Sequence, residues 1–179
     1  MSCNKTLNYF LIIEKYIPPT SELFPKYIFH CTQVAIKSVQ IGKRLSIDKD
    51  ELKFLEEAAM LHDIGICQVG KEFNTPYICH GIKGEEILKR EGFAKHAAVA
   101  LNHIGLGLTA DSVAKNKLPL PHKDMVPTTL CERIITYSDL FFSKSSLFTT
   151  RSFEQVRQKI ESFDKSKVAL FEKWRDEFE

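Results

Sequence analysis

A chain of 179 residues, 44% of them apolar, is long enough to bury the core of one domain. Its 25 basic and 23 acidic residues are interspersed and leave a net charge of +2, which argues against a dominant nucleic-acid or membrane surface and leaves room for a small anionic ligand. The five cysteines, Cys3, Cys31, Cys67, Cys79 and Cys131, are odd in number and form no CxxC pair, so neither a disulfide framework nor a zinc ribbon is expected.

Near the start, an apolar cluster at residues 9–13 is ended by Glu14 and Lys15. It is too short for a membrane span or a signal-peptide core, and a cytoplasmic location is expected. Residues 4–16 suit a short helix broken by Pro18 and Pro19, with Ser21 available to cap the next one. Over residues 25–45, Ile28, Cys31, Ala35, Ser38 and Gly42 recur at helical spacing, with His30 near the inner edge of that face.

Asp48 answered by Glu51 marks another helix start, after which Leu52, Leu55, Ala59 and His62 share one face. His62 is therefore expected to point inward. Gly65 is expected to end this helix in the left-handed conformation, with Asp63 at the helix end. Residues 66–79 read as a loop.

His80 enters a helix that runs to Gly92, and a second, alanine-rich helix follows with His103 near its end. Glycines and prolines make residues 105–127 a long connection of the kind that covers a site. Thr129 and Glu132 have capping-box spacing, and Leu130, Ile134, Tyr137 and Phe141 form a stripe that leaves Asp139 off it, near Ile135 and Phe142. After a serine- and threonine-rich loop, Phe153, Val156, Ile160 and Phe163 resume the helical period, and Val168, Phe171, Trp174 and Phe178 close the chain. These two stripes suit a core or a homodimer interface. No strand, repeat or low-complexity tract is evident, so the expected class is all-α, a single-domain helical bundle spanning residues 1–179.

The chemistry turns on whether His30, His62, Asp63, His80, His103 and Asp139 converge. A buried His or Asp is costly unless it is hydrogen-bonded or metal-bound. Mixed imidazole and carboxylate donors suit iron, manganese, nickel, cobalt or zinc, and four His with two Asp could hold two ions. Each residue also has an ordinary structural reading: helix-end cap for His62-Asp63, core hydrogen-bonding for His30 and Asp139, a cap for His80, and a dipole-favoured C-terminus for His103. His96, one heptad before His103, is expected to be at the surface or supporting the site, and His122 to be solvated.

The order His30, His62-Asp63, His80, His103, Asp139, together with the words HDIG, HGIKGEEIL and ERIITYSDLF, resembles the HD superfamily of metal-dependent phosphohydrolases, in its HDIG branch. The HD core would span about residues 25–145. The resemblance implies that His30, His62, Asp63 and Asp139 form a one-metal set and that His80 and His103 complete a two-metal centre with Asp63 as bridge and catalytic residue. It further implies a metal-activated water acting on a small phosphorylated compound, expected to be a nucleotide and not a nucleic-acid polymer. Lys83, Arg133, Lys144 and Arg151 lie close in sequence to these positions and are candidate phosphate contacts, though solvation is the commoner fate of such side chains.

The chain departs from HD-GYP proteins in lacking the GYP signature and the double His. Ile66 also stands where many HDIG sequences carry lysine, which removes one phosphate contact. NHIGLGLT and the segment that follows it are similar to small HD proteins of archaea and bacteria whose substrate is undefined. The same ligand set resembles di-iron oxygenases of the HD fold, and a metal-holding module that binds a nucleotide without turnover is a third reading.

Overall fold

The computed structural model describes residues 7–143 and 149–179. Lys144, a candidate phosphate contact, lies outside the described residues, as does Cys3. Helix α1, Tyr9–Tyr16, starts where the Asn8 side chain accepts from the Phe10 and Leu11 amides, and it buries Ile12 and Ile13. Its C-terminal limit agrees with the proline pair.

Helix α2, Leu23–Arg44, is the long central element. Ser21 does accept from the Phe24 amide at 3.3 Å, although the helix begins from Glu22 without a side-chain cap. Its inner face carries His30, Cys31, Val34, Ala35, Ser38, Ile41 and Gly42, a repeat of three and four residues that buries one stripe. Helix α3, Lys49–Leu61, starts on Asp48, whose carboxylate accepts from the Asp50 and Glu51 amides. It packs along α2, and Gly42 marks the close approach, since a Cβ there would stand 2.7 Å from Leu55 Cδ1.

Residues 66–79 carry short 3-10 turns, Ile64–Gln68, Lys71–Phe73 and Tyr77–Cys79. Helix α4, His80–Glu91, ends at Gly92 with φ +90, the left-handed cap that glycine adopts without a Cβ penalty. Helix α5, Ala94–Asn102, packs against α4.

The connection after His103 is more ordered than its composition predicts. It contains helix α6, Ala110–Lys115, and is cross-tied by reciprocal Leu108–Met125 backbone hydrogen bonds of 2.7 Å. Leu101, Val113 and Met125 form a small apolar cluster beneath it. Thr109 caps α6 through its hydroxyl, and the segment thereby buries side chains of its own.

Helix α7, Leu130–Asp139, packs on α2. The Thr129 hydroxyl accepts from the Glu132 amide as the spacing predicts, but the reciprocal bond goes elsewhere. The Glu132 carboxylate accepts from the Thr128 amide at 2.7 Å and faces Asn102 of α5 at 3.5 Å.

Helix α8, Phe153–Phe163, packs on helix α9, Val168–Phe178, which in turn packs on α7. Phe171 stacks on Phe153 at 4.8 Å and meets Tyr137 at 5.6 Å, while Phe178 meets Tyr137 edge-on at 5.4 Å. The α9 stripe is thus buried within the chain. Phe163 departs from the expected stripe: it is 82% exposed, because α8 ends there. Among the described residues there is no strand, and the all-α expectation holds. Among the described residues no helix is long and apolar enough to cross a membrane.

Candidate metal centre

All six residues singled out by type and order converge, five of them delivered by a helix end or turn and His30 from within a helix. His30 comes from the middle of α2, His62 from the end of α3, Asp63 from the turn after it, and His80 from the start of α4. His103 closes α5, and Asp139 is the last residue of α7.

Three of the imidazoles are oriented by one local device. His62 Nδ1 lies 2.6 Å from Ala59 O, His80 Nδ1 lies 2.7 Å from Tyr77 O, and His103 Nδ1 lies 2.8 Å from Ala100 O. In each case the partner is the carbonyl three residues back, at the end of a helix or turn; Tyr77 O accepts from the His80 backbone amide as well. A carbonyl only accepts, so Nδ1 carries the hydrogen and Nε2 presents a lone pair to the centre.

These lone pairs surround one carboxylate. Asp63 Oδ2 lies 3.3 Å from His30 Nε2 and 3.5 Å from His62 Nε2. Its other oxygen, Oδ1, lies 3.4 Å from His80 Nε2 and 3.3 Å from His103 Nε2. Asp139 Oδ1 approaches from the first side, 2.9 Å from His30 Nε2 and 3.6 Å from His62 Nε2.

Two features fit a cluster that could hold metal ions. The Nε2 atoms of His80 and His103 stand 3.1 Å apart with both Nδ1 hydrogens committed, so two lone pairs face each other. Only a shared cation or proton relieves that repulsion. Second, both ring nitrogens of His30 and Nε2 of His62 are buried without a properly directed hydrogen bond, although carboxylate oxygens lie at ion-pair distance.

With metal–ligand bonds of about 2.1 Å, adjacent donors sit roughly 3.0 Å apart in an octahedron and roughly 3.4 Å apart in a tetrahedron. The observed 2.9 to 3.6 Å separations bracket both values. The side chains form three overlapping groups that could hold metal ions: His30, His62 and Asp63; His62, His103 and Asp139; and Asp63, His80 and His103.

The electrostatics set His30 and His62 apart. Burial works against a charged His30, but Asp139 and Asp63 outweigh it and hold its pKa at about 9. At His62 burial prevails over the two carboxylates and pushes the pKa down, favouring the neutral ligand form. Asp63 is 1% exposed at its side chain and Asp139 is 17% exposed, so solvent reaches the centre from the Asp139 side. A cleft of about 210 Å³ opens there, lined by Phe29, His30, Gln33, Phe142, Ser143 and Thr150 among others.

Gly65 is not the left-handed terminator that its position after the helix predicts; the positive-φ glycines are Gly70, Gly92, Gly105 and Gly107. Its function is close approach. A Cβ on Gly65 would collide with His80 O and Gly84 N and stand 2.9 Å from the Lys83 carbonyl carbon. Gly81 and Gly84 continue the seam, with Cβ positions 2.9 Å from Ala100 O and 3.0 Å from Ala100 Cβ. These glycines let the HDIG turn, α4 and α5 pack backbone against backbone, which brings His80 and His103 to Asp63. Sequence reading passed over Gly81 and Gly84, whose visible signal was small residues three apart facing an alanine-rich helix.

The other candidates make contacts of their own. His96 is buried rather than at the surface, 3.3 Å from Glu57 and packed on Phe54 and Phe93, while His122 is exposed as expected. Lys83 pairs with Glu86 at 2.9 Å and Arg133 with Glu177 at 2.6 Å. Arg151 donates to the carbonyls of Leu140 and Phe142, both at 3.1 Å, and so braces the chain just beyond Asp139.

A family model described as HD domain matches residues 27–142. An uncharacterized protein of Methanocaldococcus jannaschii is 34% identical over 139 residues, covering 76% of this chain and 74% of that protein. The tRNA (cytidine(56)-2'-O)-methyltransferases of Thermoplasma volcanium and Picrophilus torridus are 32% and 31% identical over 65% and 66% of this chain. The matched part is 31% and 32% of those two proteins, so the chain spans about a third of their length.

Among solved structures, the HD domain of the L. monocytogenes phosphodiesterase PgpH aligns with a TM-score of 0.56 at 16% identity, over 92% of this chain and 86% of that one. This likeness is one of fold. The family match, extending over more than half of the chain and including all six converging residues, establishes that the protein belongs to the HD-domain family.

Proposed function

We propose that the protein is a metal-dependent phosphohydrolase acting on a small phosphorylated compound, a nucleotide in our reading, with two divalent transition-metal ions (Fe, Mn, Ni, Co or Zn). The observation that carries this is the Asp63 carboxylate, one oxygen of which faces Nε2 of His30 and His62 and the other Nε2 of His80 and His103. His30, His62, Asp63 and Asp139 would hold one ion, and Asp63, His80 and His103 the other. Such ions make a water nucleophilic near neutral pH and neutralise charge on phosphoryl oxygens.

The chain's own residues set the conditions for that chemistry. The three Nδ1–carbonyl bonds fix tautomer and ring direction of His62, His80 and His103, so these rings need not reorient on binding. Asp63, as catalytic residue, fixes the spacing of the two positions. The cleft beside His30 gives the organic part of the substrate room against Phe29 and Phe142, with Gln33 available as an amide hydrogen-bonding group. Lys83 on α4 and Arg151 beside the Asp139 turn are the proposed phosphate contacts. Arg133 is directed to α9.

The HD domain of a phosphodiesterase as structural neighbour agrees with phosphoric-ester hydrolysis. The test is phosphate release from a nucleotide panel by wild type and Asp63→Asn, with oxygen consumption followed in parallel. Turnover that Asp63→Asn abolishes while helical circular dichroism persists, without oxygen uptake, is the expected result. Wild-type activity in the variant, or oxygen uptake in place of phosphate release, contradicts the assignment.

A further inference from the structure

A second cleft, of about 360 Å³, opens between the segment after His103 and helices α7 and α9, and none of the six converging residues is among those lining it. Its floor is apolar, formed by Leu106, Val126, Pro127 and Trp174. Its rim carries Arg133, Lys167 and Lys173, and no Asp or Glu is among the described residues that line it.

The rim charges are only partly committed. Arg133 donates one guanidinium nitrogen to Glu177, which leaves further donors on the fork. Lys167 is half-buried and donates to Gly107 O. Burial pushes its pKa down, and Asp164, the carboxylate that acts on it, is itself bound by the Ser166 amide and hydroxyl. An ammonium that has given up water beside apolar walls gains from a counter-charge.

We propose that this cleft binds a small organic anion, a phosphate or carboxylate on a flat apolar body, with the anion between Lys167 and Lys173 and the body against Val126, Pro127 and Trp174. The volume suits a ring-sized body carrying one anionic group, near the lower end of the range for small-molecule pockets. Charge complementarity selects the anion, and the apolar floor selects what it is attached to. This site is separate from the metal centre and does not rest on the reaction proposed there.

The chain has one tryptophan, Trp174, and it is buried at this floor, so its emission reports on this cleft. Phenylphosphonate, which is not a hydrolysable ester, is titrated into the full-length protein, with benzoate as the carboxylate arm and benzyl alcohol as the uncharged control. A saturable change is expected with at least one anion and none with benzyl alcohol. Affinity should fall about tenfold or more in the Lys167→Gln, Lys173→Gln double variant, as expected when charge-assisted hydrogen bonds are lost, and persist in His80→Ala.

The exposed Lys173→Gln single variant serves if the double variant does not fold, and it too should weaken binding. No saturable change with either anion, or benzyl alcohol binding as tightly, overturns the proposal. So does binding that survives the lysine substitutions and is lost in His80→Ala, because the anion would then sit at the metal centre.

Discussion

Replacing Gly65 by alanine separates a glycine needed for space from one needed for a turn. Gly65 has no positive φ, so alanine meets no backbone strain there, and on the helix-terminator reading the change would be nearly neutral or mildly stabilising. The packing gives the opposite sign. The added methyl would run into His80 O and Gly84 N, both backbone atoms of α4, which cannot swing aside as a side chain can. The helix must move by an ångström or so.

Overpacking of this kind costs about 1–3 kcal/mol, and a collision with backbone on two sides belongs at the upper end. For a chain of this size that corresponds to a fall in Tm of roughly 6–12 °C. Because His80 is the first residue of the helix that must shift, its Nε2 should also leave the 3.1 Å approach to His103, and the metal bound on that side should weaken. Denaturant unfolding and elemental analysis of the same preparation read both effects. Gly92→Ala is the control: it is strained at φ +90 but meets no neighbour within 4 Å, so it should lose about 1 kcal/mol and no metal. Wild-type stability together with wild-type metal content in Gly65→Ala would refute the close-approach argument.

Phe171→Ala should cost about 3–5 kcal/mol, because the ring is fully buried against Phe153, Tyr137 and Phe141, while the metal content of the folded fraction stays at the wild-type level. Equilibrium unfolding measures it, and a cost below about 1 kcal/mol would mean that α9 is not part of the core. In metal-free protein His30 has its pKa raised from 6.5 to about 9, so the stability it contributes is fully present below 6.5 and is lost as pH rises through 9. Unfolding in chelator across that range should show this decline in wild type and its loss in His30→Gln; an equal decline in both would assign it to other groups. The same proton competes with a metal ion, so apparent metal affinity should rise with pH over that window, and less so in His30→Gln.

Of the six converging residues, His62 and Asp139 were legible in sequence because each breaks a local expectation, while His30, His80 and His103 were carried by the resemblance to the HD pattern. His62 sits on an apolar face with Leu55 and Ala59, and Asp139 falls beside an apolar stripe instead of on the solvent side. What was not legible is how these side chains are aimed. Each Nδ1 bond uses the carbonyl three residues back, at the end of an α-helix or 3-10 turn, and element ends are what periodicity locates least well.

Gly65 was misread for a related reason. A glycine after a helix fits a left-handed cap equally well as a contact point, and the neighbour that decides between them, α4, lies beyond an intervening loop. The 105–127 segment hid its order in a one-bridge tie and a single short helix, neither of which has a period to detect. His96 shares a face pattern with His103, yet α5 ends before His103, so the two rings point to different surroundings. Phe163 fits the α8 repeat, but the helix ends at that residue and leaves it exposed.

The central claim is that Asp63 joins two ion sites. Elemental analysis of protein purified without added metal, repeated on His80→Ala and His103→Ala, tests it most directly. We expect about two equivalents of a divalent transition metal in wild type, falling toward one in either variant while the His30, His62, Asp63 and Asp139 side stays loaded. No bound metal in wild type under several supplementation conditions, or the same content in wild type and both variants, would contradict it.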